Sequence, residues 1–151
     1  MDKFSSVEEI LNFAIQKEEE AAEFYTSLAD KMKKPAMRKA LEEFAREELG
    51  HKAKLLEVKK GKLLEPARGK VIALKIADYL ADVEPTADLD YAEALTLAMK
   101  REKASYKLYM DMASATEDEA LRSTLLSLAQ EEAKHKLRLE IEYDEHVLAW
   151  N

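Results

Sequence analysis

Residues 47–52 read EELGHK and residues 131–136 read EEAKHK, so one Glu-Glu-x-x-His-Lys pattern occurs twice in this 151-residue chain. The two copies stand 84 positions apart, and the same offset pairs Glu18 with Glu102. It also places identical residues opposite Ala14, Tyr25, Ala29, Arg38, Leu41, Ala45 and Leu55. The chain therefore contains an internal repeat that covers most of its length.

The composition favours long helices. Only 3 Gly and 3 Pro are present, whereas 36% of the residues are charged and 47% are hydrophobic. So few turn formers cannot supply the many turns that a sandwich or barrel of short strands requires. Most of the charged residues are Glu, Lys or Arg, which are good helix formers.

The charge and the residue types exclude several classes of function. A formal charge of -7 disfavours binding to nucleic acid or to an anionic membrane surface. The absence of cysteine excludes disulfides, Cys-bound zinc, Cys-ligated iron–sulfur clusters and thiol nucleophiles. No apolar run reaches the roughly 18 residues of a membrane span, and no secretory signal follows Met1. We expect a soluble cytoplasmic protein without nucleic-acid or membrane partners.

The first half predicts a helical hairpin over about residues 6–60. Ser6 followed by Glu9 is typical of a capping box, Pro35 suits the first turn of a second helix, and Gly61 is a plausible C-cap. Steps of three and four place one set of residues on the buried face of each helix. These are Leu11, Ile15, Glu18, Ala22, Tyr25, Ala29 and Met32, and then Leu41, Phe44, Glu48, His51, Leu55 and Val58.

A long crossover over residues 61–89 follows, with Pro66, Gly69 and Pro85 as its turn formers. The stretch 71–80 is apolar enough to predict a short extra helix. A second hairpin is then expected over about residues 90–149.

The second hairpin has its own start signals. Asp90 with Glu93 is expected to cap the third helix, and Thr116 with Glu119 the fourth. The predicted buried faces are Leu95, Ala98, Glu102, Tyr106, Tyr109 and Ala113, and then Leu121, Leu125, Leu128, Glu132, His135 and Leu139. Two hairpins joined by one long crossover predict an all-α four-helix bundle, as a single domain over residues 1–151.

Six polar residues interrupt these apolar faces. A buried carboxylate must be paired, protonated or bound to metal. One Glu from each of two helices and a Glu-x-x-His from each of the other two form a two-metal carboxylate site. Oxygen and imidazole ligands suit iron or manganese, although zinc also binds them. The predicted ligands are Glu18, Glu48, His51, Glu102, Glu132 and His135.

Other polar residues have weaker assignments. Glu47 and Glu131 could orient the two imidazoles, or they could be exposed helix charges. Tyr25 and Tyr109 could hydrogen-bond a ligand carboxylate, or simply pack in the core. His146 is interpreted as a solvated residue rather than a ligand.

These residues resemble the rubrerythrin branch of the ferritin-like family. The matching pieces are Ala14-Ile15-x-x-Glu18 with Phe24-Tyr25, Glu48-x-x-His51, Glu102 with Tyr109, and Glu132-x-x-His135. The resemblance implies two iron ions, reaction with oxygen or peroxide, and a homodimer. Rubrerythrins commonly add a Cys-bound rubredoxin domain. This chain has no cysteine, so its electrons are expected from a separate, rubredoxin-like donor.

One departure from that family bears on the activity. Rubrerythrins tend to carry an additional carboxylate on the third helix, which lets one iron change ligands during peroxide reduction. Here the neighbours of Glu102 on that face are Ala98, Met99, Ser105 and Tyr106. A di-iron oxidoreductase that reduces peroxide or oxygen is still the leading interpretation. Ferroxidase and iron handling, or a structural bundle with zinc or no metal, are the alternatives.

Overall fold

The computed structural model describes residues 3–81 and 89–147, and within them the fold is all-α, without a strand. Its helices are α1 (Val7–Asp30), α2 (Pro35–Lys60), α3 (Arg68–Val71), α4 (Tyr91–Ala115) and α5 (Glu119–His146). The long helices pair into two antiparallel hairpins, α1 with α2 and α4 with α5. The chain divides accordingly into two compact units, one of Lys3–Leu74 and one that begins at Lys75.

The first hairpin begins and ends where the capping signals predict. The Ser6 hydroxyl accepts a hydrogen bond from the Glu9 backbone N–H at 3.0 Å, and Pro35 is the first residue of α2. Gly61 caps α2 in a right-handed conformation, and the left-handed residue is its neighbour Lys62, with a φ of 54°. The predicted buried faces are confirmed except at Met32, which lies beyond the end of α1 and is half-buried.

The crossover differs from the single short helix predicted over residues 71–80. The structure has a 3₁₀ turn at Glu65–Ala67, then α3, and a second 3₁₀ turn at Ile76–Tyr79. A ten-residue helix is marginal in water unless packing supports it. The shorter turns let α3 contact α1 and the second 3₁₀ turn contact α4, and both Val71 and Tyr79 are buried. Residues 82–88, and with them Pro85, lie outside the described part of the chain.

The second hairpin confirms one predicted cap and corrects the other. Asp90 and Glu93 form the capping box, with a 2.8 Å bond from the Glu93 N–H to the Asp90 carboxylate. The cap of α5 is Asp118, which accepts from the Leu121 N–H at 2.8 Å. Thr116 instead ends α4, and its hydroxyl accepts from the Asp118 N–H. Both residues can cap a helix, and Asp118 is the one next to its first residue.

Tyr106 is a second correction in this hairpin. It was predicted on the buried face of α4, but it is 38% exposed. The buried stripe passes from Glu102 to Leu108 and Tyr109, because two turns of an α-helix advance about seven residues. The other residues predicted for the buried faces of α4 and α5 are buried. The helix α5 ends at His146, and residues 148 and 149 of the predicted hairpin lie outside the described residues.

Candidate metal centre

The first hairpin brings together three of the six predicted ligands. Glu18 comes from α1, whereas Glu48 and His51 come from one face of α2, three residues apart. The Nδ1 atom of His51 lies 3.1 Å from Oε1 of Glu48 and 3.4 Å from Oε2 of Glu18. We call these residues the first triad.

The second hairpin repeats this arrangement with Glu102 from α4 and with Glu132 and His135 from α5. The Nδ1 atom of His135 lies 3.5 Å from Oε2 of Glu102 and 4.0 Å from Oε1 of Glu132. We call these residues the second triad. The internal repeat in the sequence is therefore also a repeat in side-chain geometry.

The donor atoms of each triad fit a metal ion. Two carboxylate oxygens and one imidazole nitrogen lie within 4.8 Å of one another in both hairpins. All six residues are at most 2% exposed. Burying two carboxylates together is costly unless opposite charge offsets it. Oxygen and imidazole donors are the set that iron and manganese accept, and zinc can bind them as well.

The electrostatics of the first triad shows how strongly it attracts positive charge. Burial by itself would lower the pKa of His51, because it disfavours the imidazolium. Hydrogen bonds to Glu18 and Glu48, together with their negative charge, outweigh this effect and raise the pKa to about 11. Without metal, a proton on His51 thus supplies part of the missing positive charge.

Aromatic packing supports the first triad. The ring of Tyr25 on α1 meets the ring of Phe44 on α2 edge to face, with centroids 5.5 Å apart. Phe44 lies one turn before Glu48, so this contact fixes the spacing of the two helices beside the carboxylates. Tyr25 and Tyr109 are both buried, in agreement with their position on the predicted faces. Their hydrogen bonds to ligand carboxylates stay a prediction.

The residues expected to orient the imidazoles lie further out. Glu47 is exposed and Glu131 is half-buried. Each lies four residues before its histidine, His51 or His135. This position is compatible with a residue that orients the imidazole and also with an exposed helix charge. The orienting role stays a prediction.

One buried carboxylate was missed from the sequence. Glu142 is 2% exposed and lies 3.4 Å from the imidazole of His146, which also contacts Glu145 at 3.7 Å. His146 is itself exposed, in agreement with its interpretation as a solvated residue, and it also lies beside these two carboxylates. The signal was available, because the three–four spacing that includes Glu132, His135 and Leu139 continues to residue 142.

The fold and the two triads define a helical protein with paired carboxylate–histidine motifs, and comparison with known proteins identifies its family. Residues 9–143 match the family model described as Rubrerythrin. The chain belongs to the rubrerythrin family, whose fold is ferritin-like.

Two solved structures share this fold over nearly the whole chain. A hypothetical protein from Pyrococcus furiosus is 29% identical, with a TM-score of 0.76 over 97% of this chain and 93% of its own. A candidate ferritin-like diiron-carboxylate protein from Thermotoga maritima is 23% identical, with a TM-score of 0.75 over 97% of this chain and 98% of its own. A comparison with curated proteins finds no significant match.

The helices were also compared with the requirements of a membrane span. Over residues 3–81 and 89–147, no helix combines the length and the apolarity needed to cross a bilayer.

Proposed function

We propose that the two triads bind two iron ions, and that the protein reduces peroxide or oxygen with electrons from a separate donor. The observation that carries this proposal is the pair of buried Glu–Glu–His triads in a chain of the rubrerythrin family. The two carboxylates of each triad offset the charge of one divalent cation, so each filled triad is close to neutral. Manganese or zinc could occupy the same donors.

The side chains of the triads hold and shield the reacting groups. Bound iron supplies the redox chemistry. Glu48 and Glu132 each share a helix face with a histidine, so the rigid helix sets the spacing of the two donors. Burial of the six residues excludes bulk water and strengthens the electrostatic interactions within the site.

The electron supply is external in this proposal. The sequence contains no cysteine for a second iron centre and no dinucleotide-binding fingerprint. A small electron carrier, such as a rubredoxin-like protein, is the donor that fits a di-iron protein without a second redox centre. NADH alone should fail to reduce the oxidised protein, whereas NADH with rubredoxin and its reductase should succeed. Rapid reduction by NADH alone would contradict the external-donor proposal.

The preference between peroxide and oxygen follows from the surroundings of Glu102. On α4, positions 98, 99 and 105 are Ala, Met and Ser, and Tyr106 faces outward. None can supply a replacement carboxylate to an iron that loses a histidine. We therefore propose that both histidines stay bound in both oxidation states, and that peroxide is preferred over oxygen less strongly than in relatives with the extra carboxylate.

Stopped-flow reoxidation of the anaerobically reduced, iron-loaded protein tests the activity. Both oxidants should reoxidise it. The Glu48→Gln variant should bind less iron and lose rapid reoxidation, whereas Glu43→Gln, an exposed position on the same helix, should behave like the native protein. An iron-loaded native protein that neither oxidant reoxidises would refute the oxidoreductase proposal.

The oxidant preference is tested by the same experiment. Met99→Glu should increase the preference for peroxide over oxygen. A native protein that already prefers peroxide by several orders of magnitude would refute the argument from the missing carboxylate.

The iron content separates reduction from storage. A catalytic centre should saturate at two iron ions per chain, whereas storage would accumulate many more under air. The native mass should correspond to a homodimer, the assembly that the family resemblance implies, and a large cage would favour the ferroxidase alternative.

A further inference from the structure

The last turns of α5 carry a cluster of ligand-type side chains outside the two triads. Glu142, Glu145 and His146 occupy positions i, i+3 and i+4 and so share one helix face. The Nε2 atom of His146 lies 3.4 Å from Oε1 of Glu142 and 3.7 Å from Oε2 of Glu145. His146 follows His135 by eleven residues, which is about 16 Å along the helix. The cluster is therefore separate from the second triad.

Glu142 is held in place from a different helix. It is 2% exposed, and its Oε2 atom accepts a 2.6 Å hydrogen bond from the Tyr91 hydroxyl at the start of α4. Its other oxygen is the one that faces His146. A carboxylate with one oxygen fixed by a neutral donor and the other directed at an imidazole has the arrangement of a metal ligand supported by a further hydrogen bond.

The internal repeat shows that the fold does not require this polar pair. The positions equivalent to Tyr91 and Glu142 in the first hairpin are Val7 and Val58, and both are buried. A valine pair therefore satisfies the packing at the same place in the repeat. Burying a carboxylate costs free energy that an apolar pair avoids. The second hairpin thus buries the carboxylate of Glu142 at a free-energy cost that packing alone does not explain.

We propose that Glu142, Glu145 and His146 form a separate binding site for a divalent transition-metal ion of the zinc class. Ligands at zinc distances in a tetrahedron lie about 3.3–3.6 Å apart, close to the separations of His146 Nε2 from the two carboxylates. Three protein ligands leave a fourth position for water. The C-terminal end of α5 adds a favourable negative potential for a cation.

Arg138 sets a limit on the affinity. Its guanidinium lies 3.9 Å from Oε1 of Glu142, so it competes with a metal ion for the same carboxylate. Removing this positive charge should strengthen metal binding, whereas removing a ligand carboxylate should weaken it. A general loss of stability would not produce these opposite effects.

Zinc titration of the full-length metal-free protein, followed by NMR of the histidine rings, tests the proposal. The chain has three histidines, and His146→Gln identifies the signals of His146. Those signals should shift saturably with zinc. Glu145→Gln should weaken the apparent affinity at His146 about tenfold or more, since it removes a ligand. Arg138→Gln should strengthen it several-fold, because the competing charge is lost.

Glu140→Gln is the matched control, since it removes the same charge from an exposed position of α5 that contacts Lys136. It should leave the zinc affinity at His146 unchanged. Signals of His146 that do not move with zinc would overturn the proposal. So would an equal loss of affinity in the Glu140 and Glu145 variants, because the effect would then be general electrostatics. The signals of His51 and His135 report the triads independently, so failure here leaves the proposed function intact.

Discussion

Metal binding to the triads should release a proton from His51 at neutral pH. In the metal-free protein the pKa of this residue is about 11, so at pH 7 it is almost fully protonated. A metal ion must displace that proton, because only the neutral imidazole is a ligand. Because the pKa of His51 lies about four pH units above pH 7, competition from this proton offsets about 5 kcal/mol of the intrinsic free energy of metal binding at pH 7. The apparent affinity should rise about tenfold per pH unit for this one proton.

Anaerobic iron(II) calorimetry in two buffers of different ionisation enthalpy measures the released protons directly. About one proton per chain should come from His51, and the count should fall by about one in His51→Gln, which carries no titrating group at this position. A native protein that binds iron with no proton release, and with an affinity independent of pH between 6.5 and 8, would refute the reasoning.

The raised pKa of His51 also makes the stability of the metal-free protein depend on pH. The pKa of His51 is raised above its unfolded value of 6.5, so the contribution of the protonated form to stability is complete below pH 6.5. It is lost progressively as the pH rises towards about 11. Urea unfolding of the metal-free protein should therefore show a free energy of unfolding that falls between these limits, and the dependence should weaken in His51→Gln.

Three further predictions concern stability. Iron should raise the melting temperature, because only the native state presents the triads, and identical melting curves with and without iron would argue against the site. Asp118→Ala should lower the free energy of unfolding by about 1 kcal/mol in urea titrations, since it removes the α5 cap; no loss would mean that Thr116 replaces it. Leu55→Ala should lower the free energy of unfolding by about 2–5 kcal/mol, because Leu55 is fully buried. Leu49→Ala, at a half-exposed position of the same helix, should lower it far less. Equal losses in the two variants would contradict the assigned buried and exposed faces of α2.

The sequence alone determined the features that depend on local spacing. Glu48 with His51 and Glu132 with His135 share helix faces because three residues span almost one turn. The repeat placed Glu18 and Glu102 at the matching levels of the partner helices, and the structure brings each beside its histidine. The caps at Ser6 and Asp90 were readable for the same reason, since a cap involves only neighbours along the chain.

Tertiary packing decided what local patterns leave open. One local choice also stayed open in the sequence, because Asp118 and Thr116 are both capping residue types and the structure has Asp118 as the cap of α5. The apolar crossover breaks into short turns, because its residues bury against different helices and not along one continuous face. Glu142 continues the buried face of α5, but the hydroxyl that donates a hydrogen bond to it belongs to Tyr91, fifty-one residues earlier in the chain. Partners so distant in sequence leave no local pattern, so only the folded chain shows which side chain hydrogen-bonds this buried carboxylate.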